Sequence, residues 1–127
     1  MQKQILLFLA GLLSVISHSQ EAITSKLYET YNGYKEASLE KRRIKHKQIQ
    51  PLIQRFDANP KFEVQKVGES IEGRNLHLIS IGSGSENIFL WSQMHGNEPT
   101  ATMAIFDILN FLDAPNSNLK KKSFFQN

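Results

Sequence analysis

Ile88-Phe89-Leu90-Trp91-Ser92-Gln93-Met94-His95-Gly96-Asn97-Glu98-Pro99-Thr100 is the stretch on which the reading of this chain turns. Its first seven residues are largely apolar and predict a buried strand. After Pro99, the residues Met103, Ala104, Ile105, Ile108, Leu109, Phe111 and Leu112 form an apolar stripe at helical spacing, which predicts a helix from Pro99 to about Leu112. Proline suits the first turn of such a helix, and Gly96 would permit a sharp bend before it. Between strand and helix lie an imidazole and a carboxylate three residues apart. Open α/β sheets build their sites on loops at the carboxyl ends of strands. Zinc accepts both ligand types, and a catalytic zinc uses three protein ligands and a water. His95 and Glu98 are therefore candidate metal ligands. The bare His-x-x-Glu pattern is weak, since about 0.3 chance occurrences are expected at this composition. A lone histidine near a strand end is more often a hydrogen-bonded structural residue. The strand–turn–helix setting is what raises the case.

Upstream, Phe62, Val64 and Val67 fit one strand, and Leu76, Leu78, Ile79 and Ile81 fit a second. Gly68-Glu69-Ser70-Ile71-Glu72-Gly73-Arg74 joins them with two glycines, predicting an antiparallel hairpin with a long loop. Gly82 to Ser85 makes a further turn. Before the hairpin, residues 21 to 57 read as helical with one break. Ile23, Leu27, Tyr28, Tyr31 and Tyr34 recur at helical spacing up to Asn32-Gly33. Ser38 is a candidate cap for a second segment, with Leu39, Ile44, Ile49, Leu52, Ile53 and Phe56 facing inward. Pro51 is expected in a first turn or at a split between two helices.

The first nineteen residues have the form of an export signal. Lys3 is a positive start, Ile5 to Ile16 an apolar stretch, and Ser17-His18-Ser19 offers small residues for a cut before Gln20. The apolar stretch is shorter than the roughly 20 residues of a membrane span, so no stable membrane anchor is expected. The expected organisation is a signal over 1–19, a helical lead-in over 20–59, and the opening of a mixed α/β domain over 60–127. The chain has no cysteine, which excludes disulfides and thiolate metal sites. Its net charge of +3 is too mild to imply nucleic acid or an anionic membrane. Lys41-Arg42-Arg43-Ile44-Lys45-His46-Lys47 is denser, and reads as a solvated face of a helix or of the turn before one.

Taken together, Gly68-Glu69-Ser70-Ile71-Glu72-Gly73-Arg74-Asn75-Leu76, Ile81-Gly82, and Met94-His95-Gly96-Asn97-Glu98-Pro99-Thr100 resemble the opening of an M14 family zinc carboxypeptidase. The resemblance runs from about residue 60 to 112. It implies an α/β fold, the N-terminal part of a three-layer α/β/α sandwich around a mixed, mainly parallel sheet. It also implies zinc as cofactor and peptide or protein as substrate. His95 and Glu98 match the first two zinc ligands. Glu72 and Arg74 match a loop signature outside the catalytic machinery, and a structural ion pair or loop anchor is the role expected of them. The family's third ligand (a histidine), its substrate-binding arginines and its general-base glutamate find no counterpart here. Neither His46, in the basic region, nor His77, expected on the solvent side of its strand, matches a ligand position, and His18 leaves with the signal. The expectation is therefore a fragment with weak zinc binding and little hydrolysis alone. The aperiodic tail after Leu112 suggests a truncated or frame-shifted product. Asn97 replaces the arginine of digestive carboxypeptidases. The His-Gly-Asn-Glu form also resembles the aspartoacylase and succinylglutamate desuccinylase deacylases, while the export signal and the Glu-Gly-Arg loop favour a peptidase. A secreted, non-catalytic binding module is the reading from another class.

Overall fold

The computed structural model describes residues 24–40 and 43–114. The expected export signal and the aperiodic tail beyond Ala114 lie outside the described residues. The described residues form a mixed α/β arrangement of three helices and one two-stranded antiparallel sheet. Helical residues 24–30 (α1) run into a 3-10 turn at Tyr31–Gly33 and a second at Ala37–Leu39. Helix α2 spans His46–Asp57, strands β1 and β2 span Phe62–Glu69 and Asn75–Ile81, and helix α3 spans Thr100–Asp113. Among the described residues no helix is long and apolar enough to cross a membrane.

The core is built from the periodicities the sequence displays. Leu52 and Phe56 on α2, Phe62 on β1, and Phe106 and Leu109 on α3 are buried together with Leu39. Ile44, Ile49, Ile53, Val64 and Ile79 pack against them. Three rings lock the layers. Phe56 meets Phe62 edge-on at 4.8 Å between centroids and stacks near Phe106 at 6.2 Å. The inward residues expected of α2 are all in or against this core. Its start differs, because Glu36 rather than Ser38 caps the short turn, accepting from the Ser38 amide, and α2 begins only after Lys45. The Lys45 amide donates to Gln48 Oε1, which supplies one of the partners a helix start needs.

Pro51 corrects an expectation. It lies inside a continuous α2 rather than in a first turn or at a break. It is exposed, so the core does not require its ring, and the carbonyl of Lys47 goes without the usual partner. Pro51→Ala is expected to stabilise the fold by about 1–2 kcal/mol, the interior cost of proline less its effect on the unfolded chain. A urea titration reads this directly, and an unchanged or lower midpoint would refute it.

The hairpin pairs Phe62 with Ile81, Val64 with Ile79 and Lys66 with His77, so these residues share the core-facing side. Val67 lies on β1 as expected, and a bulge between Lys66 and Gly68 leaves it as the extra, exposed residue. The same register overturns the solvent-facing reading of His77. Its ring is half-buried with Nδ1 covered, while Leu76 on the other face is exposed. At the turn, the Gly73 amide donates to the Ser70 carbonyl and Gly73 takes φ 69°, a left-handed conformation that suits glycine. Arg74 and Glu72 form an ion pair on this loop, both exposed, which matches the ion-pair alternative expected of them.

Residues 31–38 are held to α2 and α3 by polar side chains. Tyr31 Oη donates to Asp107 Oδ2 at 2.8 Å, and the Glu36 amide donates to Asp107 Oδ1 at 2.7 Å. The Glu36 carboxylate, only 8% exposed, accepts from Ser38 Oγ, from Arg55 at 2.9 Å and from Asn110 Nδ2 at 3.3 Å. Burial pushes this carboxyl up, but the hydrogen bonds from Ser38, Arg55 and Asn110 together outweigh it and hold it below its ordinary value. A carboxyl lowered in the folded state stabilises the fold above its unfolded pKa, and that contribution is lost as pH falls through the folded value. Wild type should therefore lose thermal stability below about pH 4.5, and Glu36→Gln, already lower-melting at neutral pH, should lose less. Parallel melting curves for the two proteins between about pH 6 and 3 would contradict this.

Candidate metal centre

The segment leading to the candidate ligands is not a strand. Residues 87–93 form no regular element and have no ladder partner, and Ile88, Phe89 and Trp91 are exposed to 77%, 69% and 65%. The apolar composition was read correctly, but a strand exists only through a neighbour, and β1 and β2 pair only with each other. One ring contact lies within the segment and a hydrogen bond ties it to α3. Phe89 and Trp91 pack edge-on at 5.8 Å, and the buried Thr102 on α3 donates to Ser92 Oγ at 2.9 Å.

Gly96 lies in a turn, as expected, and a second departure from extended backbone falls just before Met94. Gln93 takes φ 61°, the one non-glycine residue with positive φ among those described. The chain then forms a turn in which the Glu98 amide donates to the His95 carbonyl at 3.0 Å. Pro99 stands just outside α3 as its cap residue, followed by Thr100. Thr102, Phe106 and Leu109 anchor α3 in the core, while Ala104 and Ile108 of the expected stripe are exposed. Phe106 went unnoticed in the stripe, although its spacing of three and four from Leu109 and Thr102 marks the buried face.

This turn brings the two candidate ligands together. His95 Nδ1 lies 3.1 Å from Glu98 Oε2, and each side chain is 67% exposed. A carboxylate only accepts, so the ring donates through Nδ1–H. Donor atoms bound to one tetrahedral zinc at its usual bond lengths stand about 3.4 Å apart. The imidazole and carboxylate are within a few tenths of an ångström of that spacing, and both are ligand types that zinc takes. The donor set fits. Among the described residues, no group of three or more His, Asp or Glu gathers around a common point. His46 and His77 stand elsewhere: His46 begins α2, with Gln50 Nε2 3.1 Å from its Nε2, and His77 belongs to the hairpin.

Beside the pair runs an open groove of about 810 Å³ between the segment preceding α2 and the head of α3. Glu40, Arg43 and Lys45 line one wall, and Glu98, Thr100 and Met103 the other. The cations come from the basic run, whose described members Arg43, Lys45 and Lys47 are solvated as expected. Their closeness to the turn is a tertiary fact that the sequence does not carry.

The described residues thus form a mixed α/β arrangement in which an imidazole and a carboxylate converge at the head of a helix. The family model for zinc carboxypeptidases matches residues 49–122, more than half of the chain, and the protein belongs to that M14 peptidase family. No curated protein and no solved structure matches it significantly.

Proposed function

We propose that this chain carries the first two zinc ligands, His95 and Glu98, of a metallocarboxypeptidase that hydrolyses peptides outside the cytoplasm. The single observation behind this is the 3.1 Å approach of His95 Nδ1 to Glu98 Oε2 within the matched region. The fold proposed for the whole domain is the three-layer sandwich implied by the family, with residues 87–93 as one of its strands. Zinc, when bound, would polarise a scissile carbonyl and lower the pKa of a bound water toward about 7.

The chain's own residues have limited and definable parts. His95 holds Glu98 through Nδ1–H, and to serve as a ligand through that nitrogen it would have to give up this proton. Glu98 would hold the ion through its carboxylate, and in that role would not serve as the general base. Thr102 holds Ser92, and with it the approach to the turn, against α3. The Glu72–Arg74 pair stays with the hairpin loop.

Zinc uptake by the full chain, followed by competition with a chromogenic chelator, tests the reading. One bound zinc, lost on His95→Ala, supports it. Absence of zinc uptake would sink it and leave the non-catalytic module. Substrate then separates the deacylase: cleavage of N-acylated amino acids, with peptides untouched, would replace the peptidase assignment.

A further inference from the structure

Arg43 and Lys45 belong to a basic run that the metal centre leaves unused, yet the fold sets both in the groove beside Glu98. Both are exposed, and among the described residues no ion pair ties either to a carboxylate. The heads of two helices line the same space: Lys45 caps α2 and Thr100 opens α3, which adds the positive ends of two helix dipoles. Two carboxylates oppose them, Glu40 and Glu98. The charge of Glu98 is committed to the metal when one is bound, which leaves the cations in excess.

We propose that Arg43 and Lys45 form a specificity subsite that selects peptide substrates carrying an Asp or Glu side chain close to the end held at His95 and Glu98. This rests on the metal-centre reading above. The groove's volume suits a short peptide end. A nucleic acid or an anionic bilayer needs an extended basic face, which a net charge of +3 and this confined pair do not supply. Ile44 and Met103 add apolar surface to the groove, where the stem of an acidic side chain can lie while its carboxylate meets the cations.

The test uses the full-length chain with Glu98→Gln, which removes the competing carboxylate and lets the groove be probed in chelator without metal. Two fluorescein-labelled tetrapeptides, identical except for Glu or Gln next to the last residue, are titrated by fluorescence anisotropy at low salt. The Glu peptide is expected to bind about fivefold more tightly, the scale of two exposed charge pairs. Adding Arg43→Gln and Lys45→Gln should erase the difference, and Arg43→Glu with Lys45→Glu should shift preference to a Lys peptide. Melting curves check that each variant is folded. Equal affinities in the Glu98→Gln protein, or a preference that survives loss of both cations, overturns the proposal. So does tight binding of an oligonucleotide or anionic vesicle through the same cations without a Glu-over-Gln preference. Zinc uptake by the wild-type chain is read separately. Zinc binding without peptide preference sinks only the subsite, whereas preference without zinc binding sinks the metal centre and, with it, the substrate-selecting role, leaving a groove that binds acidic peptides.

Discussion

Phe56→Ala is expected to cost about 3–5 kcal/mol and to leave the chain with little or no cooperative melt near 37 °C. The ring is 1% exposed and is where the layers meet. It touches Phe62 of β1 at 4.8 Å and Phe106 of α3 at 6.2 Å, and the Arg55 guanidinium lies 4.9 Å from its centroid. Truncation would leave a void bordered by three separate elements, none of which can close it without moving the other two. At roughly 4–8 °C per kcal/mol for a domain this small, the melting temperature should fall by more than about 12 °C. Circular dichroism on the purified variant reads it. A melt within about 5 °C of wild type would mean that the core is centred elsewhere.

His95→Ala is expected to weaken zinc binding by more than about a hundredfold. Residues that merely orient a ligand already cost 10–100-fold when changed, and His95 is proposed as a ligand itself. Glu98→Gln should also weaken binding, since it keeps the shape but loses the charge and the best donor oxygen. Because His95 and Glu98 are each 67% exposed, neither substitution should disturb the melting curve without metal. That separation matters: a variant that loses zinc and also unfolds says nothing about ligation. Isothermal titration of zinc into each protein gives the answer, and an affinity for His95→Ala within tenfold of wild type would remove it from the site.

Much of this architecture was legible in residue order. Leu52 and Phe56 on α2 and the hairpin around Gly68 to Arg74 follow from local periodicity and turn chemistry, which depend on few distant contacts. The failures share a physical cause. Ile88 to Met94 has the composition of a buried strand, but strand identity requires a partner that composition cannot supply. His77 shares the face of Ile79 and Ile81, which pack on the core, rather than the side opposite Leu76 and Leu78. With apolar residues on both faces of β2, hydrophobic spacing alone does not say which face the core covers. Gly96 lies in the turn as expected, whereas the left-handed conformation of Gln93 carries no mark in the sequence. At the candidate site, sequence placed the imidazole and carboxylate on one turn, because three residues of separation decide that. It could not place Arg43 and Lys45 beside them, because that meeting depends on how α2 and α3 pack.

The polar clasp on residues 31–38 has a consequence for the order of assembly. Tyr31 and Glu36 reach Asp107 across 76 and 71 positions, and Asn110 reaches back to Tyr34 across 76. Contacts of such separation carry a large loop-closure cost and form late. During synthesis, the earliest of these segments to emerge must wait for Asn110 before it can dock. The hairpin and α2 complete themselves locally meanwhile. The first part of the clasp to be made is thus among the last to find its place.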